Sequence, residues 1–239
     1  GTSEGEAKFL GYKEARKLVD AWKSDTNLAI FLNADHHKSF ESCSQALGVG
    51  YDTVLIDASA MPFEENIKIT HSVVDYAKSV NPEITIEGEL GYLRGESKLQ
   101  ETIAIKSEDF TKSEEAKEFV EKTGVNRLAV VFGNIHGVVS KQEEKLDFGL
   151  LKKINKSVPN TYLVLHGGSG LADDDFRKSI KNGITNIHIN TEVRVAYKEG
   201  LAEKLKEAPK ETTPYKFLEK AVERMEEVVE GKVKIFLNL

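Results

Sequence analysis

Cysteine is nearly absent from this chain of 239 residues: Cys43 is the only one. A lone cysteine excludes an intramolecular disulfide framework and favours a reducing, intracellular setting. No excess of basic residues exists either. Lys and Arg number 33 against 39 Asp and Glu, a net charge of −6, which argues against a nucleic-acid partner because phosphate-backbone binding needs a basic face. Local basic groups remain able to hold a small phosphorylated ligand. No run reaches the roughly 18 apolar residues of a membrane span, and the start GTSEGEAKFLG lacks a basic-then-apolar export pattern. These absences predict a cytoplasmic protein with no membrane partner. No Gly-x-Gly-x-x-Gly turn follows a strand-like run and no P-loop occurs, so an open nucleotide-binding sheet has no support.

What is present is a regular alternation. Apolar, β-rich runs recur at Ala29–Asp35, Thr53–Ala58, Ile84–Leu90, Arg127–Gly133, Tyr162–Gly168 and Asn186–Thr191, with the near-continuous apolarity of strands buried on both faces. Amphipathic stretches separate them: Lys13–Trp22, Ser39–Leu47, Phe63–Ser79, Ser113–Thr123, Asp147–Ser157 and Asp173–Asn182. Ser39 with Ser42, Ser113 with Glu114 and Glu115, and the acidic Asp173–Asp175 turn read as helix starts, while Gly48, Gly124 and Gly183 read as helix ends. The alternation predicts an α/β fold with a parallel sheet, and by elimination a (β/α)8 TIM barrel. A possible further strand ends at GTSEG. The count still falls one short of a closed barrel, and the chain has no initiator methionine, so the expectation is one barrel domain over 1–239 that lacks or does not show its first strand and helix. Residues 214–239 form a C-terminal helical extension with Phe217, Ala221 and Met225 at helical spacing.

Four of the six histidines stand at downstream strand ends: His36, His136, His166 and His188. In a barrel those ends share the face that carries chemistry. Neutral imidazoles are the commonest zinc ligands, and three with an open position make a catalytic site. His36, His136 and His166 are the best trio. His188 alternates with Asn190 in HIN, which lets both face a barrel interior without touching a metal. His71 reads as structural or solvated, and His37 is open between roles. Asp35, Asp57, Glu87 and Glu89 lie on the same face, as metal shell, proton-transfer groups or partners of arginine. No lysine ends any of the strand-like runs, which disfavours a Schiff base. The glycines of HGGSG (His166–Gly170), Gly137 after His136, and the hydroxyls of Ser169 and Thr191 suit a phosphate.

Taken together, TSEG, NADHHKSFESC, GYDTVLIDASAMPFEENI, EGELG, HGVVSKQEEKLDF, LVLHGGSG and NTEVRVAY resemble the class II, zinc-dependent aldolases of fructose or tagatose bisphosphate. The resemblance implies a (β/α)8 barrel, one catalytic Zn2+ on His36, His136 and His166, and Asp57 and Glu89 near an alternative metal position. It implies Asp35 as the acid/base on the aldehyde-derived oxygen. Gly137, Gly167, Ser169, Asn190 and Thr191 would hold the phosphate of dihydroxyacetone phosphate beside a Na+ or K+ ion, with Ser3 towards the other end of the substrate. A homodimer or homotetramer is the usual assembly. The chain departs from the family at four places. About fifty residues that usually precede TSEG are missing, His188 stands where relatives have a substrate-contacting asparagine, and Val222 stands at the distal phosphate arginine. In the loop GYLRGESK, normally mobile, Ser97 takes the position of the catalytic glutamate and leaves Glu96, one step away, as base. These departures keep two further readings open: a non-catalytic zinc or sugar-phosphate-binding homologue, and a metal-dependent hydrolase. The hydrolase is disfavoured because no His-x-His pair lies on an early strand.

Overall fold

The computed structural model describes residues 1–142 and 144–237. The chain forms two compact units. The first comprises Gly1–Tyr92, Thr111–Val130 and Lys153–Leu163; the second comprises Leu93–Phe110, Val131–Lys152 and the chain from Val164 onward.

In the first unit, strands β1 (Asn33–His37), β2 (Thr53–Ile56), β3 (Thr85–Leu90) and β5 (Arg127–Val130) lie side by side in that order, all parallel. Ala34, Val54, Leu55, Ile56, Ile86 and Leu128 are buried, as expected of strands covered on both faces. Strand alternation sorts β3. A Cβ on Gly88 would meet Phe119 of helix α5 (Ser113–Thr123) at 2.6 Å, so the Gly88 face receives the helix and Glu87 and Glu89 point the opposite way. Helices α3 (Phe40–Gly48) and α4 (Phe63–Val80) complete the expected set. Ser39 caps α3, its Oγ accepting from Ser42 N at 3.1 Å, and Gly124 ends α5 in the left-handed region.

Several boundaries differ from the sequence expectation. GTSEG is not a strand: Thr2 makes a single parallel bridge to Ala34, after which Ser3 caps helix α1 (Glu4–Leu10) in a capping box with Glu6. Residues Ala29–Leu32 precede β1 rather than belonging to it, and α2 runs over Tyr12–Thr26. Gly48 is the last helical residue of α3, whose cap is Val49, and Lys112 rather than Ser113 caps α5, with no side-chain bond.

The second unit holds the end of β7 (Tyr162–Leu165) beside β8 (Ile184–Ile187), and a separate parallel pair, β4 (Gly95–Gln100) with β6 (His136–Val139). The expected strand Asn186–Thr191 is displaced: β8 stops at Ile187, and Asn190 caps helix α8 (Thr191–Glu207). Helix α8 packs on α9 (Pro214–Phe236), which starts with proline at its first position. The two helices approach at Gly200, where a Cβ would stand 2.6 Å from Lys220 O and 2.9 Å from Ala221 Cα. Helix α7 (Asp173–Lys181) carries Asp173, Asp174 and Asp175 in its first turn, the favourable end for negative charge. The last two residues of the expected C-terminal helix lie outside the described residues. No helix among the described residues is long and apolar enough to cross a membrane.

Candidate active site

His36 sits in a kink of β1. Its φ is +49°, and the β1/β2 register slips between Ala34 and His37. An irregularity of this kind re-aims side chains and holds a non-glycine residue in a region it rarely adopts, a form of strain that concentrates at functional sites. The imidazole thereby meets two carboxylates, one just past β2 and one on β3: Nδ1 lies 3.1 Å from Asp57 Oδ2 and 3.2 Å from Glu89 Oε2. Ser59 secures Asp57, donating from its hydroxyl to Oδ1 at 2.7 Å. Ligand atoms of His36, Asp57 and Glu89 all lie within 4.8 Å of one another. Of these two Nδ1 contacts, the one to Asp57 has hydrogen-bond geometry, while Glu89 Oε2 is buried without it.

The electrostatics of this group follow from burial. Loss of water, reinforced by the nearby Asp57 charge, pushes the Glu89 carboxyl up to about 7. Burial also acts to raise Asp57, but its hydrogen bond with His36 and the imidazolium charge hold it below the ordinary carboxylate range. Desolvation opposes charge on His36, yet Glu89, with the hydrogen bond to Asp57, holds it well above its usual value. A buried and a half-buried carboxylate against one imidazole fit a divalent cation, since a mixed nitrogen and oxygen donor set suits zinc or a similar ion. The Nδ1 contact to carboxylate also fits a histidine that ligates through Nε2, because metal-bound histidines commonly donate their other N–H to a carboxylate.

Glu87, grouped with these carboxylates in the sequence, has a different partner. Arg127 Nη2 lies 3.0 Å from Glu87 Oε2, and Arg127 Nη1 donates to Thr53 Oγ1 at 3.1 Å. Glu87 and Arg127 are register partners across β3 and β5.

The second unit gathers three histidines. His136 opens β6, His166 follows β7 and His188 follows β8. The His136 and His166 rings are 6.4 Å apart and nearly perpendicular, and those of His166 and His188 are 4.1 Å apart. Asn134, buried, donates to His166 O at 3.0 Å and accepts from Phe132 N at 2.9 Å, fixing the backbone of the histidine strand end. Sequence reasoning missed this residue, although a polar asparagine inside an apolar run just before His136 was a usable signal. His188 lies beyond the strand, so its expected alternation with Asn190 does not operate.

The glycine-rich turn lies against the start of α8. Gly167 has φ +68°, and a Cβ there would come within 2.0 Å of Ile135 O, so only glycine fits. Ser169 Oγ accepts from Asn190 N (3.4 Å) and Glu192 N (3.3 Å), and Gly170 N donates to Glu192 Oε1 at 2.6 Å. Thr191 is buried at the first helical position. Gly137, Gly167, Ser169, Asn190 and Thr191 thus belong to one unit, and the last three gather at a helix start, the end of a helix that favours an anion. Glu144 also lies in this unit; burial pushes its carboxyl up to about 8, against a hydrogen bond from Ile135 and with the Asp175 charge adding.

The remaining site residues are placed more simply. Asp35 precedes the His36 kink, its N–H bonded to Thr2 O at 2.9 Å. Ser3 Oγ is engaged with Glu6, 2.9 Å from Oε2. Within GYLRGESK, Gly95–Lys98 belong to strand β4, paired with β6, and the exposed Glu96 side chain makes an ion pair with Lys98 at 2.6 Å. His37 is buried edge-on to Tyr12, and His71 is exposed beside Asp75.

Residues 1–238 match the family model for class II fructose-bisphosphate aldolase. The chain belongs to the class II fructose-bisphosphate aldolase family. A fructose-bisphosphate aldolase of Staphylococcus epidermidis is 36% identical over 239 aligned positions, covering 99% of this chain and 81% of that protein. One of Geobacillus stearothermophilus is 33% identical, again covering 99% and 81%. Among solved structures, the YdjI aldolase from Escherichia coli K12 superposes with a TM-score of 0.77 at 28% identity, covering 98% of this chain and 78% of that one. The fructose-bisphosphate aldolase of Campylobacter jejuni gives 0.78 at 21% identity, over 98% and 80%, a likeness of fold. The protein is thus a class II aldolase, a carbon–carbon lyase, on an α/β fold with a parallel sheet.

Proposed function

We propose that this aldolase cleaves and forms a ketose phosphate or bisphosphate such as fructose 1,6-bisphosphate, using one zinc ion and dihydroxyacetone phosphate as the donor half. The observation that carries the reading is the family match over residues 1–238, which spans His36, His136, His166 and His188. His36, His136 and His166 hold the zinc, with Asp57 orienting His36 and Glu89 close by. Bound there, zinc supplies a Lewis acid where negative charge develops on the substrate oxygens.

The chain's own groups do the rest. Asp35 carries the proton of the hydroxyl that becomes the aldehyde. Glu96 is the carboxylate that takes the hydroxymethyl proton. Gly137, Gly167, Ser169, Asn190 and Thr191 bind the phosphate through backbone N–H groups and hydroxyls, beside a Na+ or K+ ion, while His188 and Ser3 touch the substrate. The protein acts in the cytoplasm as a homodimer or homotetramer on a (β/α)8 barrel. With fructose 1,6-bisphosphate as substrate, cleavage is expected to fall at least tenfold after chelation and to return with added Zn2+ but not Mg2+, read as triose phosphate released. Stoichiometric zinc without any cleavage would favour the non-catalytic binder.

A further inference from the structure

Strand β4 is a polar, exposed segment, GESKLQ, with no apolar face to hold it. Its place is set instead by hydrogen bonds to the segment that begins with His136. His136 N donates to Arg94 O at 2.8 Å, Ser140 N to Gln100 O at 3.0 Å and Lys141 N to Glu101 O at 3.0 Å. Between these ties the register slips, from Gly95 opposite His136 to Leu99 opposite Val138. The side-chain amide of Gln100 fills the slip: Nε2 donates to Glu96 O at 3.0 Å and to His136 O at 2.9 Å.

Two glycines make the approach possible. A Cβ on Gly95 would lie 2.4 Å from His136 O, and one on Gly137 would lie 2.4 Å from Glu96 O and 2.5 Å from Gln100 Nε2. The segment is anchored at both ends as well. Arg94 makes a two-pronged ion pair with Asp109, Nε at 2.5 Å and Nη2 at 2.9 Å, and Ile103 N donates to Gln142 Oε1 at 2.9 Å.

We propose that Gln100 is a positioning residue for His136: its amide, set in the β4/β6 slip, fixes the His136 peptide and makes residues 94–101 and this histidine move as one body. The inference rests on the reading of His136 as a metal ligand. Its consequence is that the strap carrying Glu96 and the metal shell are coupled through a side chain that touches neither metal nor substrate. Interactions one step behind a ligand typically alter metal affinity by about 10- to 100-fold when lost.

The test uses the full chain with Gln100→Met, which keeps length and loses the donor, and Gln100→Lys, which returns an N–H donor of similar reach. Hydrogen exchange of the metal-free protein reads the strap, and cobalt(II) affinity with its visible spectrum reads the ligand. Gln100→Met is expected to speed exchange across residues 136–141 and to weaken cobalt about 10-fold with an altered spectrum, and Gln100→Lys to recover part of both. Unchanged cobalt affinity and spectrum in Gln100→Met, while the wild-type protein binds cobalt, overturns the positioning role, whether or not exchange speeds up. Wild-type protein that takes up no cobalt is a distinct failure, which overturns the metal reading and this inference with it.

Discussion

If the proposed function holds, His166→Ala is expected to abolish zinc binding at ordinary free-zinc levels and to lower fructose 1,6-bisphosphate cleavage on the order of 100-fold or more, since even groups behind a ligand alter affinity by about 10- to 100-fold. The imidazole lies 6.4 Å from that of His136 and 4.1 Å from that of His188 and is buried, 3% exposed, so no water-rich surface substitutes for it. The fold has reason to survive the change. Asn134 grips the backbone carbonyl of residue 166 rather than its ring, and alanine keeps that bond. Loss of zinc with an unchanged circular dichroism spectrum therefore assigns the effect to the ligand. A variant that retains both zinc and cleavage would remove His166 from the site.

Arg127→Met is expected to cost about 3–5 kcal/mol of stability, the usual result of removing one partner of a buried ion pair. Glu87 has no exposed surface and its side chain faces the Arg127 guanidinium at 3.0 Å; the substitution takes this countercharge away from a fully buried carboxylate. For a chain of this size the loss corresponds to a fall in melting temperature on the order of 10 °C. The double variant Arg127→Met with Glu87→Gln removes both charges and is expected to regain most of it. If the double variant is as unstable as the single one, packing rather than charge explains the loss.

The strands were legible in the sequence because parallel strands buried on both faces leave uninterrupted apolar runs, and Thr53, Ile84, Arg127 and Tyr162 mark their starts to within a residue. Strand ends were less legible because apolarity reports burial and not ladder bonding: Leu28 and Phe31 are apolar yet exposed and precede β1. Helix α8 carries little apolar periodicity, since it approaches α9 at Gly200 rather than through a stripe of large residues. The β4/β6 pair joins polar segments some forty positions apart, and no local pattern announces such pairing.

The site divides in the same way. Histidines at strand ends and the glycines of HGGSG could be picked out by residue type and position. What fixes them could not. The kink at His36, the amides of Asn134 and Gln100, and the choice of Arg127 for Glu87 rather than Glu89 depend on register between strands, which emerges only once the strands are paired.

The proposed function requires this chain to generate the enediolate of dihydroxyacetone phosphate in a metal-dependent way. Its most direct test is exchange of the hydroxymethyl proton of dihydroxyacetone phosphate in deuterated buffer, followed by nuclear magnetic resonance with no acceptor aldehyde present. Exchange by the zinc-loaded protein is expected to stop on chelation and to resume with zinc. Protein that holds zinc and dihydroxyacetone phosphate but leaves the proton unexchanged would contradict it.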